Sequence, residues 1–202
     1  ILMKKVTIID YGTGNILSIQ RSLKYFGINP IITNSKSKIL NASHLILPGV
    51  GAFKTGMKLL NQHNLPKILK DYIEQDKPLL GICLGMQLLF EESNEFGTYR
   101  GLGFIKGKVK KISYPKLDVP IIGWYKINTV GKMLKKHNKK FMYFVHSYQA
   151  LPKKKETIKA NYKINNKNIV AAVQERNIYG FQFHPEKSSF DGLNLIKEFI
   201  SL

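Results

Sequence analysis

One cysteine, one tryptophan and few carboxylates stand among the 202 residues of this chain, and each scarcity rules something out. A lone Cys83 cannot form an internal disulfide, so a packed core must hold the chain together. No His/Cys group has the spacing of a zinc site, and neither a metal nor another cofactor is expected. No apolar run approaches the roughly 20 residues of a membrane-spanning helix. The first residues also lack the cationic start and long apolar core of a secretory signal. The expectation is a cytoplasmic protein without a membrane partner. Ile1 and Leu2 precede Met3, which reads as the natural start, so residues 1–3 are set apart from one domain expected over 4–202.

Acid is the most pronounced shortage: 13 Asp and Glu against 32 Lys and Arg give a formal net charge of +19. Such a charge marks nucleic-acid or membrane-surface binding when the basic residues cluster with exposed aromatics. Here nearly all of them are lysines scattered among asparagines and isoleucines, as a compositional bias would scatter them. No nucleic-acid partner is expected, although a basic surface still attracts anionic substrates or an acidic subunit. Apolar residues are plentiful, and 44% hydrophobic content with 11% aromatics suffices for one sizeable core.

Short apolar runs alternate with helical patterns through the first half. Strands are expected at Val6–Ile9, Pro30–Thr33 and Leu45–Pro48, with helices through Ile16, Ile19, Leu23 and Phe26 and over Met57–Ile73. This alternation argues an α/β fold whose mostly parallel central sheet is flanked by helices, with functional groups gathered at the carboxyl ends of the strands. From Gly101 the pattern turns more β-like, with strands at 106–112, 121–130 and 141–145, which reads as an added antiparallel region. Residues 169–174 and 178–183 suggest a hairpin, and Asn194–Ile200 a closing helix. Lys132–Lys140 reads as an exposed loop or short helix and Lys153–Lys155 as a solvated turn. The Gly12-x-Gly14 turn lacks a third glycine, since position 17 is leucine, so a dinucleotide fingerprint is weak.

Chemistry is concentrated in Gly81-Ile82-Cys83-Leu84-Gly85-Met86-Gln87, which ends an apolar strand and leads into Met86, Leu89 and Phe90 at helical spacing. A lone cysteine in an apolar stretch is ordinarily a small buried hydrophobe. The flanking glycines point elsewhere: they permit a tight, strained strand-to-helix bend, a nucleophile elbow with cysteine in place of serine. A thiol at a helix N-terminus is shifted toward the reactive thiolate, and the N–H groups beside it can hold a developing oxyanion. About a hundred residues on, His184 and Glu186 flank Pro185. Side chains two apart on an extended segment share a face, so the carboxylate can orient the imidazole as base for the thiol.

The Cys83 segment and Phe183-His184-Pro185-Glu186 together resemble the paired signatures of class I glutamine amidotransferases. Pro48-Gly49-Val50-Gly51-Ala52-Phe53, Tyr143-Phe144-Val145-His146-Ser147-Tyr148 and Glu186-Lys187-Ser188 are similar, within that family, to the glutaminase subunits of a two-part synthase of histidine biosynthesis. The resemblance covers the chain from Lys4 onward and implies the flavodoxin-like amidotransferase fold. It implies hydrolysis of glutamine through a thioester on Cys83, with His184 and Glu186 completing the triad. Ammonia would pass to a (β/α)8-barrel cyclase subunit, the partner in a heterodimer. The resemblance also implies oxyanion donors at Val50, Gly51 and Leu84, and glutamine contacts at Gly49, Gln87, Glu95, Ser147 and Tyr148. Glu95 has a competing reading as part of a solvated charge cluster over 91–95. His146 is not expected to be catalytic. Glycine on both sides of Val50 would let that peptide flip, so the hole would be assembled on a signal from the partner.

Trp124, Tyr125 and Lys187 are expected at the partner interface, where one segment departs from the pattern. These subunits carry Pro-His-x-Gly-Trp-Asn, and this chain reads Pro120-Ile121-Ile122-Gly123-Trp124-Tyr125. The departure keeps open a second reading, the same glutaminase serving a paralogous synthase that converts a sugar acetamido group to an amidino group for surface polysaccharide. A cysteine hydrolase of related fold would keep the Cys83 turn without the His184 segment, and a non-catalytic binding subunit would need neither.

Overall fold

The computed structural model describes residues 4–131 and 134–202; the expectations for residues 1–3, and for Lys132 and Met133 in the basic segment, lie outside it. The chain opens with β1 (Val6–Ile9), α1 (Ile16–Tyr25), β2 (Ile31–Thr33), α2 (Lys36–Leu40) and β3 (His44–Leu47). Two helices, α3 (Phe53–Gln62) and α4 (Leu65–Ile73), lead to β4 (Leu79–Ile82) and the short α5 (Leu84–Leu88). Strands follow: β5 (Phe90–Ser93), β6 (Tyr99–Arg100), β7 (Ile105–Lys111), β8 (Ile121–Thr129), β9 (Phe141–His146), β10 (Tyr148–Pro152), β11 (Ile158–Ile164), β12 (Lys167–Glu175) and β13 (Ile178–Phe181). The chain closes with α6 (Ser189–Ile200).

The main sheet runs β2-β1-β3-β4-β13-β12-β11-β8-β9, and the strands from β2 to β13 are parallel neighbours. The opening order is that of a doubly wound sheet with a switch point between β1 and β3. Beyond β13 the sheet continues antiparallel through β12, β11, β8 and β9, the added region expected from the sequence. A second sheet, β10-β7-β5-β6, lies apart. β1, β3, β4 and β13 are buried at every position, as parallel strands covered on both faces must be. Ile8, Ile46, Leu80 and Phe181 pack with Leu23, Leu195 and Phe199 of α1 and α6. Leu45, Leu47 and Leu79 pack with Leu60, Leu69 and Met86, and with Val109 and Ala150 of the small sheet.

Three expectations are corrected. The helix over 57–73 is two helices, because Asn64 is left-handed (φ 54°) and Pro66 follows in the first turn of α4. A left-handed residue breaks the helical ladder, and proline restarts it at no cost in its first turn. The helix after Cys83 stops at Leu88 rather than carrying Phe90, which enters β5 and pairs with Ile105 of β7. Tertiary pairing here overrides a helical apolar spacing. Within the basic segment the expected short helix is present as a single 3-10 turn, Lys135–His137, but Leu134 and His137 are buried rather than exposed.

One backbone contact fixes the junction of β3 and α5. A Cβ added at Gly85 would lie 2.0 Å from the Leu47 carbonyl oxygen, a clash with backbone that no rotamer relieves. Gly85→Ala should therefore cost about 2 kcal/mol or more, the scale of core overpacking. In thermal unfolding that is a fall in Tm of about 5 °C, and an unchanged Tm would contradict the packing described.

Candidate active site

Cys83 occupies the bend between β4 and α5 with φ 55° and ψ −113°, a strained backbone for any residue with a side chain. The strain is held from several sides. Its N–H donates to the Phe181 carbonyl (2.7 Å) and its carbonyl accepts the Gln87 N–H (3.2 Å). Because β13 runs parallel beside β4, with Phe181 level with Ile82, the residues leaving β13 arrive next to Cys83. His184 arrives this way, with its own N–H tied to the Tyr143 carbonyl (2.9 Å).

The His184 Nδ1–H donates to Glu186 Oε1 at 2.8 Å, and both side chains are almost wholly buried. Cys83 and His184 line the same cavity wall, and with Nδ1 committed to Glu186 the ring nitrogen left for the thiol is Nε2. Burial, the largest single influence, works against the charged imidazolium. The neighbouring Cys83 and Glu186 side chains outweigh it and hold the His184 pKa up at about 10. Cys83, His184 and Glu186 are thus brought together, in the arrangement that the sequence led one to expect of a nucleophile, its base and an orienting carboxylate.

The Pro48–Gly51 loop closes on this centre from β3. A Cβ on Gly49 would lie 2.7 Å from the Gly85 nitrogen and 2.9 Å from the Leu84 Cβ, so the loop backbone touches the first turn of α5. Val50 and Gly51 are exposed at the cavity wall, and Gly51 has φ +96°. Leu84 lines the same wall. The loop is braced by the turn after β1, where the Tyr11 hydroxyl donates to the Pro48 carbonyl and the Thr13 hydroxyl to the Val50 carbonyl, both at 2.7 Å.

The cavity holds about 440 Å³, within the range of small-molecule sites. Gln87, Glu95, Ser147 and Tyr148 line it with Cys83 and His184. Glu95 is not part of a solvated cluster: it is buried and accepts the Phe53 N–H at 2.6 Å. His146 is buried and neutral, its pKa lowered to about 4, chiefly by burial. Its Nδ1–H donates to the Tyr148 carbonyl (2.7 Å) and its Nε2 accepts from the Tyr162 hydroxyl (2.8 Å), a positioning role. On β8, Trp124 and Ile122 are exposed, whereas Tyr125 turns inward onto Tyr162 and Phe144. The alternation of the strand sends 125 to the opposite face from 124, so the Tyr125 side chain packs toward the core while Trp124 faces out. Lys187 is exposed beside the triad.

Sequence reasoning missed several residues that hold the site. Gln182, fully buried, accepts Gln87 Nε2 on its Oε1 (3.0 Å) and directs Nε2 to Cys83 Sγ (3.9 Å). Asn15 approaches Glu186 Oε1 (3.5 Å), and the Ser188 hydroxyl donates to the His184 carbonyl (2.6 Å). The position of Gln182 two residues before His184, on the same face of an extended segment, was the available signal; Asn15 and Thr13 left none. Among the described residues no group of three His, Cys, Asp or Glu is disposed to hold a metal, and no helix is long and apolar enough to cross a membrane.

Residues 7–201 match the family model of the class I glutamine amidotransferases. The chain is 37% identical to "Imidazole glycerol phosphate synthase subunit HisH 1" of Legionella pneumophila (strain Lens), over 99% of this chain and 100% of that protein. It is 41% identical to "Imidazole glycerol phosphate synthase subunit HisH" of Trichormus variabilis (strain ATCC 29413 / PCC 7937), over 98% and 96%. The solved structure of PurLQS from Thermotoga maritima shares the fold, with a TM-score of 0.74 at 18% identity over 99% of each chain.

The charge state of His184 is open to direct measurement. A raised pKa means that the folded chain favours the imidazolium; this stabilisation is complete below the unfolded value near 6.5 and is lost as pH rises through about 10. The His184 ring resonances should accordingly titrate near pH 10 in an NMR titration, and Glu186→Gln should move the midpoint down. A midpoint near 6.5 in both proteins would contradict the geometry.

Proposed function

The chain belongs to the class I glutamine amidotransferase family, and from that membership we propose that it is the glutaminase subunit of an imidazole glycerol phosphate synthase. The observation that carries the chemistry is a cysteine on a strained bend, sharing a cavity wall with an imidazole that a buried carboxylate orients, in a cavity sized for a small amide. The full-length match to relatives named for that synthase supports the choice of pathway.

The Cys83 thiolate attacks the side-chain amide carbon of glutamine, a C–S bond forms, and the carbonyl electrons move to oxygen. Backbone N–H groups at Leu84 and in the Val50–Gly51 segment hold the oxyanion, with Gly49 keeping that loop close. As the oxyanion collapses the C–N bond breaks, and His184 gives its proton to the leaving nitrogen, releasing ammonia and leaving the thioester. Water then attacks, His184 takes its proton, and glutamate departs as Cys83 is restored. Glu186 holds the useful tautomer throughout. Glu95, Gln87, Ser147 and Tyr148 hold the amino-acid end of the substrate.

Ammonia released into water is protonated and lost as a nucleophile, so a glutaminase with this cavity requires an acceptor subunit docked over it. That subunit is a (β/α)8-barrel cyclase, working with this chain in the cytoplasm. Trp124 and Ile122 on the outer face of β8 and Lys187 at the mouth suit such an interface, a large aromatic being a common anchor. The departures at Ile121 and Tyr125 fall on the inner face of β8, where Ile121 is 2% exposed. Both side chains pack toward the core while Ile122 and Trp124 face out, which weakens the reason for preferring a sugar-modifying synthase.

The test is glutamate release from glutamine by the purified chain, alone and with the cyclase of the same source plus its nucleotide substrate. Strong stimulation is expected, with a loss of about 10⁴-fold or more in Cys83→Ala. No hydrolysis with any partner would overturn the glutaminase, and stimulation by a different synthase subunit alone would overturn the pathway.

A further inference from the structure

Glutamine presents more than its amide to the cavity. Its far end carries an α-ammonium and an α-carboxylate, and a site that selects it over simple amides must meet both charges. Among the residues lining the cavity, one carboxylate and one lysine or arginine occur, Glu95 and Lys111. Glu95 is fixed in place by the Phe53 N–H, and the Tyr148 phenol, its pKa raised by burial and by Glu95, stands close to it.

The placement of Lys111 follows from the alternation of β7. Ile105, Gly107 and Val109 face inward and are buried, while Lys106, Lys108 and Lys110 face solvent. Lys111 continues the inward set, but at the end of the strand where the core gives way to the cavity. It stands directly opposite Tyr148 in the antiparallel pair, and the next N–H, that of Ile112, donates to the Ser147 carbonyl at 2.9 Å. Opposite residues share a face about 5 Å apart at Cβ, so Lys111 and Tyr148 project side by side over the same wall. Lys106 and Lys153, on the outside of this sheet, pair with Glu91. Lys111 makes no ion pair within 4.0 Å among the described residues.

We propose that Lys111 binds the α-carboxylate of the substrate, opposite Glu95 on the α-ammonium, and that this pair selects an α-amino acid amide. The assignment rests on the glutaminase reading above and adds a specificity residue to it. An exposed lysine on this wall is a point charge at the end of a flexible stem, which suits a carboxylate that must enter and leave at each turnover.

The test compares wild type, Lys111→Gln and Lys111→Arg on glutamine and on 4-aminobutanamide, the same amide without the α-carboxylate, with the partner present. Loss of a charge-assisted hydrogen bond predicts a fall of about tenfold or more in kcat/KM for glutamine in Lys111→Gln, carried by KM. Lys111→Arg should retain most of the activity, and all three proteins should act equally on 4-aminobutanamide. Calorimetric binding of glutamine to Cys83→Ser, with and without Lys111→Gln, should show the same drop without turnover. An unchanged glutamine KM and affinity in Lys111→Gln, or an equal loss on both amides, overturns the assignment and leaves the glutaminase standing. Failure of the wild type on every amide overturns the glutaminase reading and this assignment with it.

Discussion

Backbone touches backbone where the Pro48–Gly51 loop meets the first turn after Cys83, and the geometry of the site depends on that contact. The Leu47 carbonyl lies where a Cβ of residue 85 would stand, and Gly49 lies against the Gly85 nitrogen. Two parallel strands are thereby locked at their carboxyl ends with loop and elbow in register. The strained conformation of Cys83 persists because its neighbours over-determine it: β13 accepts its N–H, Gln87 caps its carbonyl, and the loop closes the remaining side. Relaxing the contact would free both the bend and the wall that faces it.

On this frame the electrostatics are assembled from parts far apart in the chain. A buried imidazolium is unfavourable alone, and here it is sustained by a carboxylate two residues away and by the Cys83 side chain about a hundred residues away. The second histidine at the cavity, His146, has no carboxylate behind it; it stays neutral and serves as a hydrogen-bond bridge. The same side chain thus takes opposite charge states within one cavity, according to whether an acid stands behind it. Gln182 joins the two halves, since its amide spans from Gln87 to the Cys83 sulfur.

Much of this was legible beforehand, for local reasons. Glycines around Cys83 and the spacing of His184 and Glu186 are constraints written within a few residues, as are the apolar strands of the parallel sheet. What stayed hidden depended on contacts between distant segments. Phe90 has helical spacing from Met86, yet pairing with β7 draws it into a strand. Asn64 and Pro66 divided an apparent single helix, a punctuation that the apolar periodicity masked. Tyr125 reads as an interface residue from its place beside Trp124, but strand alternation turns it inward to Tyr162. Thr13 reaches the Val50 carbonyl across 37 positions of sequence, and nothing in its own surroundings announces the contact.

The central claim is that the bend at Cys83 makes a covalent nucleophile of it. The most direct measurement is mass spectrometry of the chain quenched in acid during turnover of glutamine with its partner, followed by peptide mapping. The account predicts a γ-glutamyl group on the peptide containing Cys83, lost when glutamine is exhausted. Glutamate release without any adduct, together with full activity in Cys83→Ala, would contradict it.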